Sequence, residues 1–178
     1  VGGDGLTATK ELSEKKKIPK KQNTMKELGI YPLNYTWDKN IFNQLCIAKF
    51  IENCHLNYNS LDPRMEEFLN TMDIYSSPDK IEKINDDEII EKIVKNDVIV
   101  ATSFTEYVHP IFWISMELGI PCLIGNNSDF FEKEELKQYI VTSAEDNPII
   151  NAQMVEKILE KREKIQELYK IWKEEYNK

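Results

Sequence analysis

The stretch that decides the fold runs from Asp97 to Asn127, DVIVATSFTEYVHPIFWISMELGIPCLIGNN. It opens on an apolar run, Val98-Ile99-Val100-Ala101, with the length and β-branched content of a fully buried strand. Polar residues follow, Thr102-Ser103 and Thr105-Glu106, and then His109-Pro110, where a helix is expected to start. Proline suits the first helical position because its missing N–H would have no partner there anyway. Ile111 to Leu118 is apolar on most faces, which predicts a largely buried helix, and Gly119 supplies a left-handed stop. Pro121-Cys122-Leu123-Ile124 reads as a second buried strand ending at Gly125-Asn126-Asn127. Strand, short helix and strand within this span form a βαβ unit, whose strands must be parallel. Ligands of such sheets bind beyond the carboxyl ends of the strands. The candidate rim is therefore Ser103 to His109 together with Gly125 to Asp129.

Working outward, the same alternation repeats. Met25–Leu33 is expected as a first strand, followed by a polar loop, Asn34 to Asp38, and a helix from Lys39 to Glu52 carrying Ile41, Leu45, Ala48 and Ile51 near helical period. His55–Asn59 is a second strand candidate, and Asp62-Pro63 opens a short helix. Ile74-Tyr75 is expected as a third strand, with a turn at Ser76-Ser77-Pro78. Asp86-Asp87-Glu88 begins a helix whose N-terminal acids complement the dipole. Beyond the central unit, Glu134–Gln138 reads as a brief helix and Tyr139–Val141 as a last strand. From Pro148 the apolar positions Ile150, Met154, Ile158, Ile165, Leu168 and Trp172 predict a long amphipathic helix. The expected fold is a Rossmann-like, doubly wound parallel α/β sheet of about six strands with a long C-terminal helix. Strand order 3-2-1-4-5-6 would place the crevice between the first and fourth strands. Residues 1–24, Gly- and Lys-rich, read as a linker or tail, and 25–178 as one domain.

Composition narrows the function classes. A net charge of −8 argues against nucleic-acid binding over the whole surface, while leaving room for a locally basic pocket. No apolar run approaches the roughly 18 residues of a membrane span, so no transmembrane segment is expected. Cys46, Cys54 and Cys122 lack CxxC spacing and sit among apolar residues, which predicts buried structural thiols and a cytoplasmic setting. Two histidines leave little for a metal site, and none is expected. GxGxxG and Walker patterns do not occur.

Two loops converge on the expected crevice. Lys39, at a helix start with free N–H groups, suits a pyrophosphate, although a solvated helix start would look the same. Glu106, flanked by Thr105 and Tyr107, could hold sugar hydroxyls, bind a metal or act as a base, or simply cap the buried helix. His109 is either an N-cap or a catalytic group. Gly125-Asn126-Asn127-Ser128 would offer backbone donors to a phosphate, or form only a turn. Glu117, mid-turn in an apolar helix, reads as paired or solvated.

The pattern TSFTE, then HP, then MELGIPCLIGNNSDFF resembles the carboxy-terminal half of the GT-B glycosyltransferases, the large family-four-like retaining group. WDKNIFNQL at 37–45 is similar to that group's donor-phosphate loop and following helix, and ILEKREKIQELYKIWKEEYNK to its long final helix. The resemblance implies a nucleotide-sugar donor-binding domain of a glycosyltransferase of the hexosyltransferase type, acting with retention on a glycan or glycoprotein acceptor, as in polysaccharide biosynthesis. It implies that Glu106 contacts the donor sugar and Lys39 neutralises the diphosphate, the two catalytic residues. Thr105, Tyr107, His109, Asn126 and Asn127 would line the donor site. It implies no cofactor beyond the nucleotide diphosphate sugar itself, and an amino-terminal acceptor domain or partner subunit completing the enzyme. The location implied is the cytoplasm, or the inner membrane face as a peripheral protein. The chain departs from the pattern where the group's second glutamate, which holds the ribose, would fall: Ile114 stands there. Losing that carboxylate removes charge-assisted hydrogen bonds of roughly 1.5–3 kcal/mol. The alternative implied is a degenerate, non-catalytic glycosyltransferase-like domain that binds a partner or acceptor. A flavodoxin-like or response-regulator-like domain is a third reading; the latter needs an acidic cluster after the first strand, where Tyr31-Pro32-Leu33 offers none.

Overall fold

The chain folds around the two strands quoted above, which are buried along their whole length. A computed structural model describes residues 25–82, 87–104, 108–127 and 129–178. In chain order these contain β1 (Lys26–Ile30), a one-turn 3-10 segment (Trp37–Lys39), α1 (Ile41–Ile47), β2 (Cys54–Asn59), α2 (Pro63–Thr71), β3 (Ser76–Asp79) and α3 (Asp87–Val94). There follow β4 (Val98–Ala101), α4 (Pro110–Glu117), β5 (Cys122–Gly125), α5 (Lys137–Ile140), β6 (Val141–Thr142), α6 (Pro148–Glu160) and α7 (Arg162–Tyr176).

The six strands form one sheet in the order β3-β2-β1-β4-β5-β6, every pair parallel. The expected order is thus observed, and the connection reverses direction between β1 and β4, which pair Leu28 with Val98 and Ile30 with Val100. Helices cover both faces of such a sheet, so β4 and β5 can be apolar at every position, and each is buried throughout.

Local signals set most boundaries. Asp62 caps α2, accepting from the Arg64 N–H, and Asn147 caps α6, accepting from the Ile149 and Ile150 N–H groups; each precedes a proline at the first helical position. Gly119 ends α4 at φ 78°, in the left-handed region, as its position suggests. The long C-terminal helix is present but broken at Lys161 (φ −105°, ψ 20°) into α6 and α7. The bend lets both halves keep their apolar faces on the core: Val155 and Ile158 from α6, Ile165, Tyr169 and Trp172 from α7. Trp172 stacks against Trp113 of α4 at 5.8 Å and against Tyr176 at 5.0 Å, and packs on Phe131 at 4.9 Å.

Three expectations need correction. The third strand is Ser76–Asp79, the segment read as a turn, rather than Ile74-Tyr75. Pairing to Leu56–Asn59 of β2 supplies the hydrogen bonds that make this polar, half-buried edge extended. The last strand is only Val141–Thr142, because Tyr139 and Ile140 complete α5. Cys54 and Cys122 are buried, but Cys46 is only half-buried.

One stripe of the sheet is polar. Asn57 Nδ2 donates to Glu27 Oε1 (3.1 Å) and to Asn96 Oδ1 (2.9 Å), Asn96 Nδ2 donates to Tyr31 Oη (2.9 Å), and the Tyr31 hydroxyl donates to Asp79 Oδ2 (3.1 Å). Asn96 reaches this chain through the space above Gly29, where an added Cβ would lie 2.7 Å from its amide nitrogen and 2.6 Å from Ile99 Cδ1.

Candidate functional site

At the carboxyl edge of the sheet, the loops leaving β1 and β4 meet over the switch between the two strands. Tyr31, Pro32, Lys39, Gln44, Ser103 and His109 line a narrow crevice there, floored by Val100 and Ala101. A second crevice adjoins it across Ser103 and His109 and extends to Gly125 and Asn127 at the end of β5. The structure therefore places Lys39 and His109 in one crevice and His109 and Asn127 in the adjoining one, from the loops after β1, β4 and β5.

Lys39 closes the 3-10 turn before α1. Its side chain is 12% exposed, with Asp38 Oδ2 at 4.0 Å. Of the described residues lining the crevice, Lys39 is the one that carries a formal charge. His109 caps α4: its Nδ1 accepts from the Ile111 N–H at 3.0 Å. That bond places the proton of the neutral ring on Nε2 and leaves it as a donor. Burial, with the Lys39 ammonium adding to it, pushes the His109 pKa down to about 4, so the ring is neutral at pH 7. The capping and ligand-facing readings of His109 are thus compatible, since one nitrogen serves the helix and the other remains available.

The loops are held in place by amide side chains. Asn40, buried and left-handed (φ 56°, ψ 37°), donates to the main-chain carbonyls of Thr102 (2.8 Å) and Glu145 (2.6 Å). Gln44 donates to the Lys39 carbonyl (2.6 Å) and accepts from the Thr102 N–H (3.2 Å). The Phe104 N–H donates to the Asp38 carbonyl (2.8 Å), and Asn127 Nδ2 to the Ser103 carbonyl (2.7 Å). These bonds tie the β1 loop to the β4 loop and to the segment after β6, brace the β1 loop on α1, and join the β4 loop to the β5 loop. Asn40 and Gln44 were not singled out from sequence. The available signal was two amides spaced i, i+4 beside the apolar Ile41 and Leu45, which marks a buried polar pair on the face of α1 toward the core.

The remaining expected residues fare differently. Thr105, Glu106, Tyr107 and Ser128 lie outside the described residues. Asn126 is exposed, and its backbone N–H donates to Glu145 Oε1 at 2.9 Å, so a carboxylate of the chain itself already occupies that donor. Ile114 is half-buried against the core. Glu117 accepts from the Tyr169 hydroxyl (3.1 Å) and pairs with Lys173 (2.8 Å), which commits it to the α4–α7 contact. Among the described residues, no group of three or more His, Cys, Asp or Glu side chains could hold a metal ion. No described helix is long and apolar enough to cross a membrane.

A scan against protein-family models and a search of curated proteins both return no match. Solved structures do match. WaaG, a glycosyltransferase involved in lipopolysaccharide biosynthesis, aligns with a TM-score of 0.66 at 12% identity over 98% of this chain and 48% of its own. Alr3699/HepE of Anabaena, in complex with UDP-glucose, gives 0.61 at 8% identity, over 93% of this chain and 46% of its own. The C-terminal domain of a group 1 family glycosyl transferase (LpcC) from Francisella tularensis gives 0.59 at 15% identity, over 90% of this chain and 88% of its own. The chain thus spans about half the length of the first two and most of the isolated C-terminal domain. At these identities the likeness is one of fold. This chain has the fold of the carboxy-terminal, Rossmann-like half of the GT-B glycosyltransferases.

Proposed function

We propose that the chain is the nucleotide-sugar donor-binding domain of a retaining glycosyltransferase that transfers a sugar to a glycan or glycoprotein acceptor. The observation that carries this reading is the pairing of the Lys39 ammonium with the neutral, Nε2-protonated His109 in one crevice at the β1/β4 switch. Support comes from the fold, shared with glycosyltransferases, one of them in complex with UDP-glucose. A lysine and an imidazole N–H are suited to a diphosphate: the first supplies charge, the second a directed hydrogen bond that does not titrate near neutrality. In such a reaction the protein mainly holds the donor in position and stabilises the departing diphosphate. Lys39 would take that charge, Glu106, with Thr105 and Tyr107 beside it, the donor sugar, and Asn126 and Asn127 the outer rim. An amino-terminal domain or partner subunit would complete the cleft, in the cytoplasm or at the inner face of the membrane, with no cofactor but the nucleotide sugar.

Isothermal titration with UDP-, GDP- and ADP-sugars tests the reading. Heat is expected with at least one donor, and Lys39→Ala should weaken it by roughly 10- to 150-fold, the equivalent of one lost charged hydrogen bond of about 1.5–3 kcal/mol. No heat from a folded sample with any of them would overturn the proposal. Retention is read from the anomeric configuration of the product by NMR.

A second reading rests on Ile114, which puts an apolar, half-buried side chain where the family pattern carries a ribose-binding glutamate. In this reading the domain recognises a partner or acceptor without chemistry. Lys39→Ala and Glu106→Ala would then leave partner binding intact, whereas in the enzyme they abolish transfer.

A further inference from the structure

The polar stripe of the sheet runs outward to three side chains that the donor crevice does not use. Glu27 and His55 are cross-strand partners in the β1–β2 register, and Ser77 stands one diagonal step further, on the edge strand β3. Their positions in register put all three on one face of the sheet. His55 Nδ1 lies 2.7 Å from Glu27 Oε1, and His55 Nε2 lies 2.7 Å from Ser77 Oγ. Chemistry fixes the direction of both bonds. A carboxylate only accepts, so Nδ1 carries the proton of the neutral ring; Nε2 is then the acceptor, and the Ser77 hydroxyl donates to it. Glu27 is itself held in place. Its Oε1 accepts from Asn57 Nδ2 (3.1 Å), and its main-chain N–H donates to Asp97 Oδ2 (2.8 Å). Tyr75 braces the imidazole, with ring centroids 4.5 Å apart. The His55 side chain is 15% exposed and Ser77 is half-buried, so neither is sealed in the core.

We propose that Ser77 is an activated serine, placed to take an acyl group from a small ester. A hydroxyl, a base within hydrogen-bond reach of it and a third group orienting that base are the parts such a transfer needs, on whatever fold they occur. Ser77 Oγ attacks the ester carbonyl as its proton passes to His55 Nε2, and the Glu27 carboxylate balances the charge of the imidazolium. Collapse of the tetrahedral adduct breaks the bond to the leaving alcohol, which takes the proton from Nε2, and leaves Ser77 acylated. Water gives a proton to the same nitrogen, attacks the acyl carbon and releases the acid; the proton returns to Ser77 Oγ. Ser77 and His55 act on the reacting atoms, and Glu27 is a positioning residue. Tyr75, 61% exposed, supplies an apolar wall suited to a short acyl chain. The three residues lie toward the amino ends of β1, β2 and β3, whereas the crevice lies at the carboxyl edge. The inference is therefore independent of the donor-binding reading.

The intact chain would be treated with a fluorophosphonate probe, the labelled peptide located by mass spectrometry, and hydrolysis of p-nitrophenyl acetate followed in parallel. Label is expected on Ser77 in the folded chain and not after prior unfolding in urea. Ser77→Ala should abolish both label and hydrolysis. His55→Gln should slow them by roughly a hundredfold or more, the contribution of a positioned base, and Glu27→Gln by roughly tenfold or more. Ser76→Ala, one residue away and directed to the opposite face, should leave both rates unchanged. Absence of label from the folded parent chain, label found only elsewhere, or undiminished hydrolysis by Ser77→Ala would each overturn the proposal and reduce the three side chains to a brace between strands. The labelling of the parent chain needs no variant to fold, and β3 in Ser77→Ala keeps its backbone pairing to β2.

Discussion

At the residue scale, His109 links helix capping to site chemistry through one ring. Its pKa is about 4 in the fold against about 6.5 unfolded, so the folded state binds fewer protons between those values. The stability this contributes is complete above pH 6.5 and is lost as pH falls toward 4, amounting to about 3 kcal/mol. His109→Asn keeps a capping acceptor without the titration. Urea midpoints at pH 7 and pH 4.5 should therefore fall less for the variant than for the parent chain; equal falls would assign the acid sensitivity elsewhere. Gly29 shows the opposite kind of constraint, one of space. A Cβ there would lie 2.6–2.8 Å from Ile99 and Asn96, and Asn96 is pinned by its own hydrogen bonds to Tyr31 and to the Lys92 carbonyl. Gly29→Ala is expected to cost about 1–3 kcal/mol in chemical denaturation, the range for overpacking a filled core.

At the scale of elements, each piece that carries the site is placed by a contact distant in sequence. The 3-10 turn and α1 owe their position to Asn40, whose amide spans 62 residues to Thr102 and 105 residues to Glu145. Asn40→Gly keeps the left-handed backbone accessible and removes those two bonds together with the one Asn40 Oδ1 accepts from Asn43 Nδ2 (2.7 Å), so its cost reports the three jointly. A loss of about 1–3 kcal/mol is expected, with weaker donor binding because the Lys39 loop loosens. An unchanged urea midpoint would mean that the Phe104 and Gln44 bonds hold the loops alone. On the far side of the sheet, α7 is fastened to α4 by Trp172 and by the Lys173–Glu117 pair. Trp172→Ala should cost about 3–5 kcal/mol, measurable as a lower thermal midpoint, with Trp37 emission unaffected. Elements with strong local signals, such as β4, α4 and β5, were readable from the chain because apolar content, a proline and a left-handed glycine lie within a few residues. β3 was not: Ser76–Asp79 has turn composition, and only pairing with β2 makes it a strand. The break at Lys161 was likewise invisible, since apolar residues recur on both sides of it and no proline or glycine marks it.

At the scale of the molecule, the order β3-β2-β1-β4-β5-β6 determines which loops can meet. Because β1 and β4 are neighbours, residues 39 and 109 share a crevice despite their separation, and residues 37 and 104 share a groove. Alternation of helix and strand, the buried character of each strand and the right-handed rule for parallel crossovers all reside in local patterns, which is why the sequence by itself determined the fold class, the strand order and the edge that carries the site. It also placed Lys39 and His109 on that edge. The tertiary structure alone decided that His109 is neutral, that Asn40 and Gln44 staple the loops, that Glu145 occupies the Asn126 donor, and that Trp37 stands bare over a groove. Those outcomes depend on burial and on hydrogen bonds between segments far apart in the chain, and neither periodicity nor capping chemistry encodes which distant group a side chain will meet.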